Sequence, residues 1–429
     1  MGAGSLAGRS REPALQPRNN SIAEAFAAPL EGAAVPERVS LIRLFLIFLR
    51  IGCTTWGGFM TFIAVVSKSL TARGLATEED ITDSILVAQV LPGPVAVDMT
   101  VAVGYRLRGI PGAAVCWLGS VLPSFIVVTT LSLLYLKYGT LPAVDRIFKG
   151  FPSAMVAIVA VAAYEMGKKQ VKSGSQLAIA VGACAAIVLQ SAFFQGAWWV
   201  TLSVVFVAGT IGWYLFKAKS APPPAPAGPR GGSAPRLKSF FPPALALALA
   251  PVPLLKIFLT FAVMSVSLFG SGYVFIPIIK GQLVNTLHWI TVPEFTAGLA
   301  LTQITPGPIL MTAAFVGLKI AGLPGAIAGM LGMFGPPALL TLAAAGSLQA
   351  IKKSSVVTAA LKGVRPAVVG MLFAAAVVVG ETMPHDTLAH DAASGAILAG
   401  ALVALLRFRV EVALIIPLAG AAGFLLFPR

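Results

Sequence analysis

The tripeptide Pro-Gly-Pro occurs twice in this chain, at Pro92-Gly93-Pro94 and Pro306-Gly307-Pro308, each time inside an apolar run and each time three residues after a glutamine, Gln89 or Gln303. Neither copy can be helix interior. The prolines carry no N–H, and Pro94 and Pro308 push the glycine before them out of the helical region. At membrane depth, backbone groups freed by such a break are tolerated only inside protein or beside a water-filled cavity. Two breaks in corresponding places of two halves point to a transport site.

The composition sets these breaks at membrane depth. Of 429 residues, 57% are hydrophobic and only 11% charged, and the mean hydropathy is +0.88. That is far too apolar for a soluble protein and predicts an all-α polytopic membrane protein with about 12–13 spans across a lipid bilayer. The net charge of +15 does not indicate nucleic acid, because the Lys and Arg residues sit in short clusters between apolar runs, which is how membrane topology is written. Cys53, Cys116 and Cys184 lie within apolar segments without metal-like spacing, and His288, His385 and His390 lie near segment ends without a partner cluster. No metal site, disulfide or cofactor is expected. With no nucleophile elbow, phosphate loop or paired carboxylates, transport is favoured over enzyme chemistry.

The chain divides into a polar tail over 1–40, expected to be disordered and cytoplasmic, a first repeat over 41–216, a Pro/Gly-rich basic linker over 217–239 and a second repeat over 240–429. The duplication shows in a constant offset of 213. Trp56-Gly57 falls on Phe269-Gly270, Gly104 on Gly317, Arg106 on Lys319, Pro111-Gly112 on Pro324-Gly325, Gly119 on Gly332 and Lys149-Gly150 on Lys362-Gly363, while the Pro-Gly-Pro pair is 214 apart. Basic residues choose between parallel and inverted halves. Six crossings place Arg106, Arg108, Lys168, Lys169, Lys172 and the linker inside, and an inverted second half adds Lys280, Lys352, Lys353, Arg407 and Arg409, leaving Lys319, Glu381, Asp386 and Asp391 outside. Inverted repeats are therefore expected, with the proline-rich 240–255 stretch supplying one extra crossing.

Breaking a span exposes half-helix N-termini, whose free N–H groups and partial positive charge favour an anion, with Gln89 and Gln303 as neutral donors beside the breaks. Pro92, Gly93, Pro94, Pro306, Gly307 and Pro308 are thus candidate substrate-binding positions; a proline kink that only shapes packing is the alternative. Gly57-Gly58 and Gly270-Ser271-Gly272 form a second paired break, open to substrate lining at Gly57, Gly58, Gly270 and Gly272 or to close helix packing. A charge at mid-span costs roughly 2.5–3.5 kcal/mol, which singles out two residues. Arg50 could face an anion pathway or snorkel to the interface. Asp98, just past the first Pro-Gly-Pro and without an acidic partner in the second repeat, could carry a proton or serve an arginine, with Arg50 the expected counter-charge.

The chain resembles the chromate ion transporter family in its long, two-domain form. The resemblance is carried by F-L-R-I-G-C-T-T-W-G-G at Phe48 to Gly58, L-P-G-P-V-A-V, V-G-Y-R-L-R-G-I-P-G-A and L-P-S-F in the first half, and by F-G-S-G-Y, T-P-G-P and G-L-P-G-A in the second. It covers both halves apart from tail and linker. It implies a multi-pass carrier in the inner (plasma) membrane with a cytoplasmic N-terminus, exporting chromate with the proton gradient and so conferring resistance. Sulfate is the natural isosteric competitor, and a homodimer is among the assemblies such a carrier could form. The chain departs from the family pattern at Phe59, where Pro or Gly often follows the first Gly-Gly, and at Asp98, where Asn is commoner.

Overall fold

The computed structural model describes residues 39–56, 59–193, 198–217, 252–345 and 354–427. The 1–40 tail up to residue 38, Gly57 and Gly58, the linker beyond Lys217 and the proline-rich stretch up to Pro251 lie outside the described residues. The first half runs through α1 (Leu41–Thr54), α2 (Phe59–Thr71), α3 (Glu78–Val90), α4 (Val95–Tyr138), α5 (Pro142–Lys149), α6 (Phe151–Gln170), α7 (Gly174–Phe193) and α8 (Trp198–Phe216). The second repeats it with α9 (Val252–Val266), a 3-10 turn (Gly272–Phe275), α10 (Ile276–Ile279), a π-helical turn (Lys280–Thr286), α11 (Val292–Gln303), a 3-10 turn (Ile309–Met311), α12 (Thr312–Ala345), α13 (Ser355–Gly380), α14 (Leu388–Leu406) and α15 (Val412–Leu426). There is no strand among the described residues.

The long helices α4 and α12 are each folded in two. Gly109 has φ 64° and Gly322 φ 63°, the left-handed region that glycine enters without penalty. The chain reverses there, so residues equidistant from the turn meet. Gly104 packs on Gly112 and Gly317 on Gly325 with no side chain between them, and a Cβ on Gly104 would stand 2.5 Å from the Gly112 carbonyl oxygen. Further from the turn, Thr100 Oγ1 lies 3.4 Å from Ser120 Oγ. Each helix is thus a short arm (95–107, 312–320) antiparallel to a long one (110–138, 323–345).

Each short arm also folds back on the helix before it. Arg106 reaches Asp80 at 2.6 Å and Asp83 at 3.1 Å, and Lys319 reaches Glu294 at 2.6 Å; both sets of pairs are centred on Pro-Gly-Pro. The tripeptides are therefore hairpin tips, not mid-points of through-going spans. The same carboxylates close capping boxes, Asp80 with Thr77 on α3 and Glu294 with Thr291 on α11, so one side chain starts a helix and pins its partner arm. Burial alone would push the Glu294 carboxyl up, but hydrogen bonds from Lys319 and from the Thr291 N–H and hydroxyl, with the Lys319 charge, hold it below the usual carboxylate range. A depressed carboxylate stabilises the fold above its unfolded pKa and loses that contribution as pH falls through its folded one. Thermal unfolding of the purified protein should therefore drop in midpoint as pH falls below the carboxylate range, and Glu294→Gln should flatten that limb while lowering the midpoint at neutral pH.

The break at Gly270 reverses the chain in the same way. The Lys256 ammonium lies 5.8 Å over the Trp289 ring, across the turn at Gly270. In the first half Phe62, Val66 and Leu70 of α2 share a buried cluster with Leu44, Ile47, Phe48 and Ile51 of α1, which sets α2 back beside α1. Each half thus contributes two half-depth hairpins.

The long arms relate the halves. Arg108, at the start of the 110–138 arm, donates to the Val39 carbonyl at 2.6 Å, while Tyr135 at its other end stacks 5.9 Å from Phe315, toward the open end of the second half's hairpin. In reciprocal fashion, Leu342 at the end of α12 packs with Val101, Tyr105 and Ile110. The hairpins of the two halves therefore enter from opposite ends, as inverted repeats do. Beyond them the halves interlock: α7 and α8 pack on α13, α14 and α15 on α6. Gly212 meets Gly363 and Gly423 meets Gly150 backbone to backbone, the close approach small residues allow between spans.

Seven described helical stretches are long and apolar enough to cross a membrane, and Val412–Leu426 is a shorter apolar helix. The apolar runs counted as spans before α4 and α12 resolve into fold-back hairpins, because Gly and Pro breaks let the chain return to the side it entered from. This corrects one placement. Lys280 was expected at the end opposite Glu381, yet the two are paired at 2.6 Å, since the Gly270 break reverses the chain before Lys280 instead of carrying it across.

The irregular turns explain the one-residue slip in the repeat. The second half gains a residue between Ile276 and the cap Thr291, where the π-helical turn Lys280–Thr286 absorbs it, and loses one between Pro308 and Gly317, where the 3-10 turn Ile309–Met311 recovers length through its ~2.0 Å rise against ~1.5 Å for an α-helix.

Candidate functional site

The tips at Pro92–Pro94, Gly270–Gly272 and Pro306–Pro308 converge with Thr55 and Phe62 of the α1–α2 pair. The Gly93 N–H donates to the Leu268 carbonyl across the halves at 2.7 Å. Gly93, with φ 143°, abuts Pro337, and Gly307, with φ 120°, abuts Ser124; these partners are themselves 213 apart. The tips enclose a cavity of ≈ 60 Å³, to which the α1–α2 hairpin gives Thr55 and Phe62, α4 gives Val95 and Ala96, and the second half gives Ser271, Tyr273, Gln303 and Ile309.

Its chemistry follows from how a hairpin tip is built. The returning arm begins at the tip, so its first N–H groups have no intrahelical acceptor and point into the gap. Neither Pro94 nor Pro308 offers a side-chain cap to the helix it precedes, leaving the first-turn N–H groups of Val95, Ala96, Ile309 and Leu310 available at the cavity wall. To these the walls add Gln303, whose Nε2 is buried without a partner while its Oε1 accepts from the Tyr273 hydroxyl at 3.4 Å. With Oε1 engaged by Tyr273, the unpartnered Nε2 is the donor this carboxamide has left to offer. Among the described residues, no Asp, Glu, Lys, Arg or His lines the cavity. It is a shell of neutral donors and helix N-termini, suited to a small anion.

The predicted residues divide. Pro94, Gly307, Pro308, Gly270, Gly272 and Gln303 line the cavity; Gly93 makes the tip-to-tip hydrogen bond beside it, while Pro92 and Pro306 complete the turns. Gln89 does not share the place of Gln303: it accepts from Arg365 at 3.0 Å in a neighbouring cavity. The two glutamines were read as equivalent, but their partners are not, since the residues matching Tyr273 and Arg365 in the other half are Met60 and Pro152. Arg50 lies on the exposed side of α1 and lines neither cavity. It does not meet Asp98, both of whose carboxylate oxygens lack a hydrogen-bond partner; the expected counter-charge is thereby corrected. Asp98 is 0% exposed and sits behind the tip, its carboxylate against Gly93. Tyr273, Ser271 and Thr305 went unassigned from sequence, although each adjoins a Gly or Pro break, where a hydroxyl has freed backbone and open space beside it.

The chromate transporter family model matches residues 42–213 and again 255–424. Among curated relatives, a probable chromate transport protein of Synechococcus elongatus is 30% identical over 81% of this chain and 86% of its own length. Chromate transport proteins of Cupriavidus metallidurans and Pseudomonas aeruginosa are each 29% identical, covering 80% and 92% of this chain and 83% and 95% of theirs. No solved structure matches the chain significantly.

Proposed function

This chain belongs to the chromate transporter family, and from that premise we propose that it is a secondary carrier that binds chromate in the cavity between the hairpin tips and exports it across the inner membrane, coupled to the proton gradient and conferring resistance. The observation that carries the reading is the convergence of the described half-helix tips on a cavity with no carboxylate or cation among the described residues of its wall. A tetrahedral dianion there accepts hydrogen bonds from the first N–H groups of two returning arms and from Gln303, replacing part of its hydration shell. Because the hairpins enter from opposite ends, small tilts of one half against the other open the cavity to one side at a time, as alternating access about a midplane site requires. Sulfate has the same shape and charge and competes for the same donors. The end bearing Arg43, Arg106, Arg108, Lys168 and Lys169 is taken as cytoplasmic by the positive-inside rule.

Labelled chromate uptake into everted membrane vesicles tests this. Accumulation above the imposed gradient, only on energisation and inhibited by sulfate, is the expected result; flux that merely follows the gradient indicates a channel, and absence of flux rejects the proposal. Gln303→Leu, which replaces the inward donor with an apolar group of similar size, should cut uptake efficiency by about 10–100-fold, the ~1.5–3 kcal/mol of a hydrogen bond to a charged group. Tyr273→Phe, which only frees the amide to rotate, should lose less.

A further inference from the structure

Arg365 stands within the apolar helix α13, where an unpaired cation costs roughly 2.5–3.5 kcal/mol, and no described carboxylate lies within ion-pair distance of it. Its Nη2 donates to Gln89 Oε1 at 3.0 Å, which occupies one of the five donors of a guanidinium. Arg365, an exposed residue, also lines a cavity of ≈ 50 Å³ together with Gln170, Met166 and Phe269. Gln170 Oε1 is buried there without a partner, and turning that carboxamide over presents its NH₂ to the same space. This cavity shares Val95 and Gly270 with the central one, so the two adjoin at the first-half tip.

Position and asymmetry add to the chemistry. Arg365 lies in the first half of α13, toward the end where α6 carries Lys168 and Lys169. The second half thus supplies a cation to the approach that the first half, with Pro152 in the matching place, does not return. A lone fork of donors in a small, partly apolar chamber beside a neutral anion site has one electrostatic complement: a small oxyanion that it holds before the central donors do.

We propose that Arg365, oriented by Gln89, forms an outer oxyanion subsite through which chromate or sulfate passes between the end bearing Lys168 and the central cavity. The inference rests on reading the central cavity as an oxyanion site. It makes Arg365 a determinant of apparent affinity on one face of the carrier.

The test uses the full chain in proteoliposomes with labelled chromate. Arg365→Gln is expected to raise the KM measured from that face about ten-fold, equivalent to ~1.4 kcal/mol, with the maximal rate held within about three-fold. Arg365→Lys, keeping charge but losing the fork, should fall between Gln and wild type, and it decides the matter if the Gln variant does not fold. A wild-type KM in a folded variant overturns the subsite, as does an equal loss in maximal rate with KM unchanged, which marks a merely structural arginine. If wild-type protein neither binds nor moves chromate or sulfate, the central oxyanion reading falls and the subsite with it, an outcome distinct from any failure confined to the variants.

Discussion

Gly93→Ala is expected to abolish chromate transport and to lower thermal stability measurably, a larger effect than any single change in the cavity wall. Two independent costs fall on one methyl group. Gly93 holds φ 143°, a region that L-residues rarely adopt, at a cost of about 1–3 kcal/mol. The added Cβ would also collide with the Asp98 carboxylate and stand 2.5 Å from the Pro337 Cβ, and packed cores resist such insertion by ~1–3 kcal/mol. Proline cannot rotate away, and Asp98 is fully buried, so relief comes by moving the tip. Moving it breaks the 2.7 Å hydrogen bond to the Leu268 carbonyl, which ties one half to the other beside the cavity. Gly307→Ala probes the matching place, where the Cβ would meet Ser124 Cβ at 2.5 Å, but there the second neighbour is the Ser124 hydroxyl, which χ1 rotation removes, and not a buried carboxylate. The prediction is thus an order of effect: Gly93→Ala worse than Gly307→Ala in uptake and in the midpoint of thermal unfolding. Wild-type transport in a folded Gly93→Ala protein would show that the tips are not held at this contact.

How much of this was legible beforehand can be read from particular residues. The duplication, the paired breaks and the inverted relation came from rare residue types kept in register, because Gly and Pro answer to backbone geometry and little else. Depth and direction did not. An apolar run of thirty residues with a break in it reads as a span, and only the pairing of Arg106 with Asp80 and of Lys319 with Glu294 shows that the chain returns. Those pairs join residues 26 and 25 apart, beyond any local period. The inequivalence of Gln89 and Gln303 was hidden for a related reason: their own surroundings match, and what differs is a side chain brought from a distant helix. The π-helical and 3-10 turns, in contrast, were foreshadowed by the change of offset from 213 to 214, a count that already located an inserted and a deleted residue.

Asp98→Asn is expected to uncouple chromate transport from the pH gradient while leaving gradient-driven exchange in place. Asp98 lies in the first turn of α4, four residues after Pro94, and its carboxyl rests against Gly93 behind the tip. The N-terminal field that favours a bound oxyanion acts on this carboxylate too. A dianion in the cavity and an ionised Asp98 repel each other across the tip, with little water to screen them. Chromate therefore binds better when Asp98 carries its proton, and by reciprocity proton binding improves when chromate is present. The sign follows: wild-type affinity should rise as pH falls through the titration of Asp98, by about ten-fold for a coupling near 1.4 kcal/mol, and Asp98→Asn should be flat. Sulfate, which stays a dianion over the working range, separates this from protonation of chromate itself. Asn keeps the shape of the side chain, so the tip contact survives the substitution. The measurement is sulfate-competable chromate binding as a function of pH, alongside accumulation in vesicles with and without an imposed pH gradient. If Asp98→Asn keeps both the slope of affinity with pH and the response to the gradient, Asp98 only packs the tip, and the proton travels through another group.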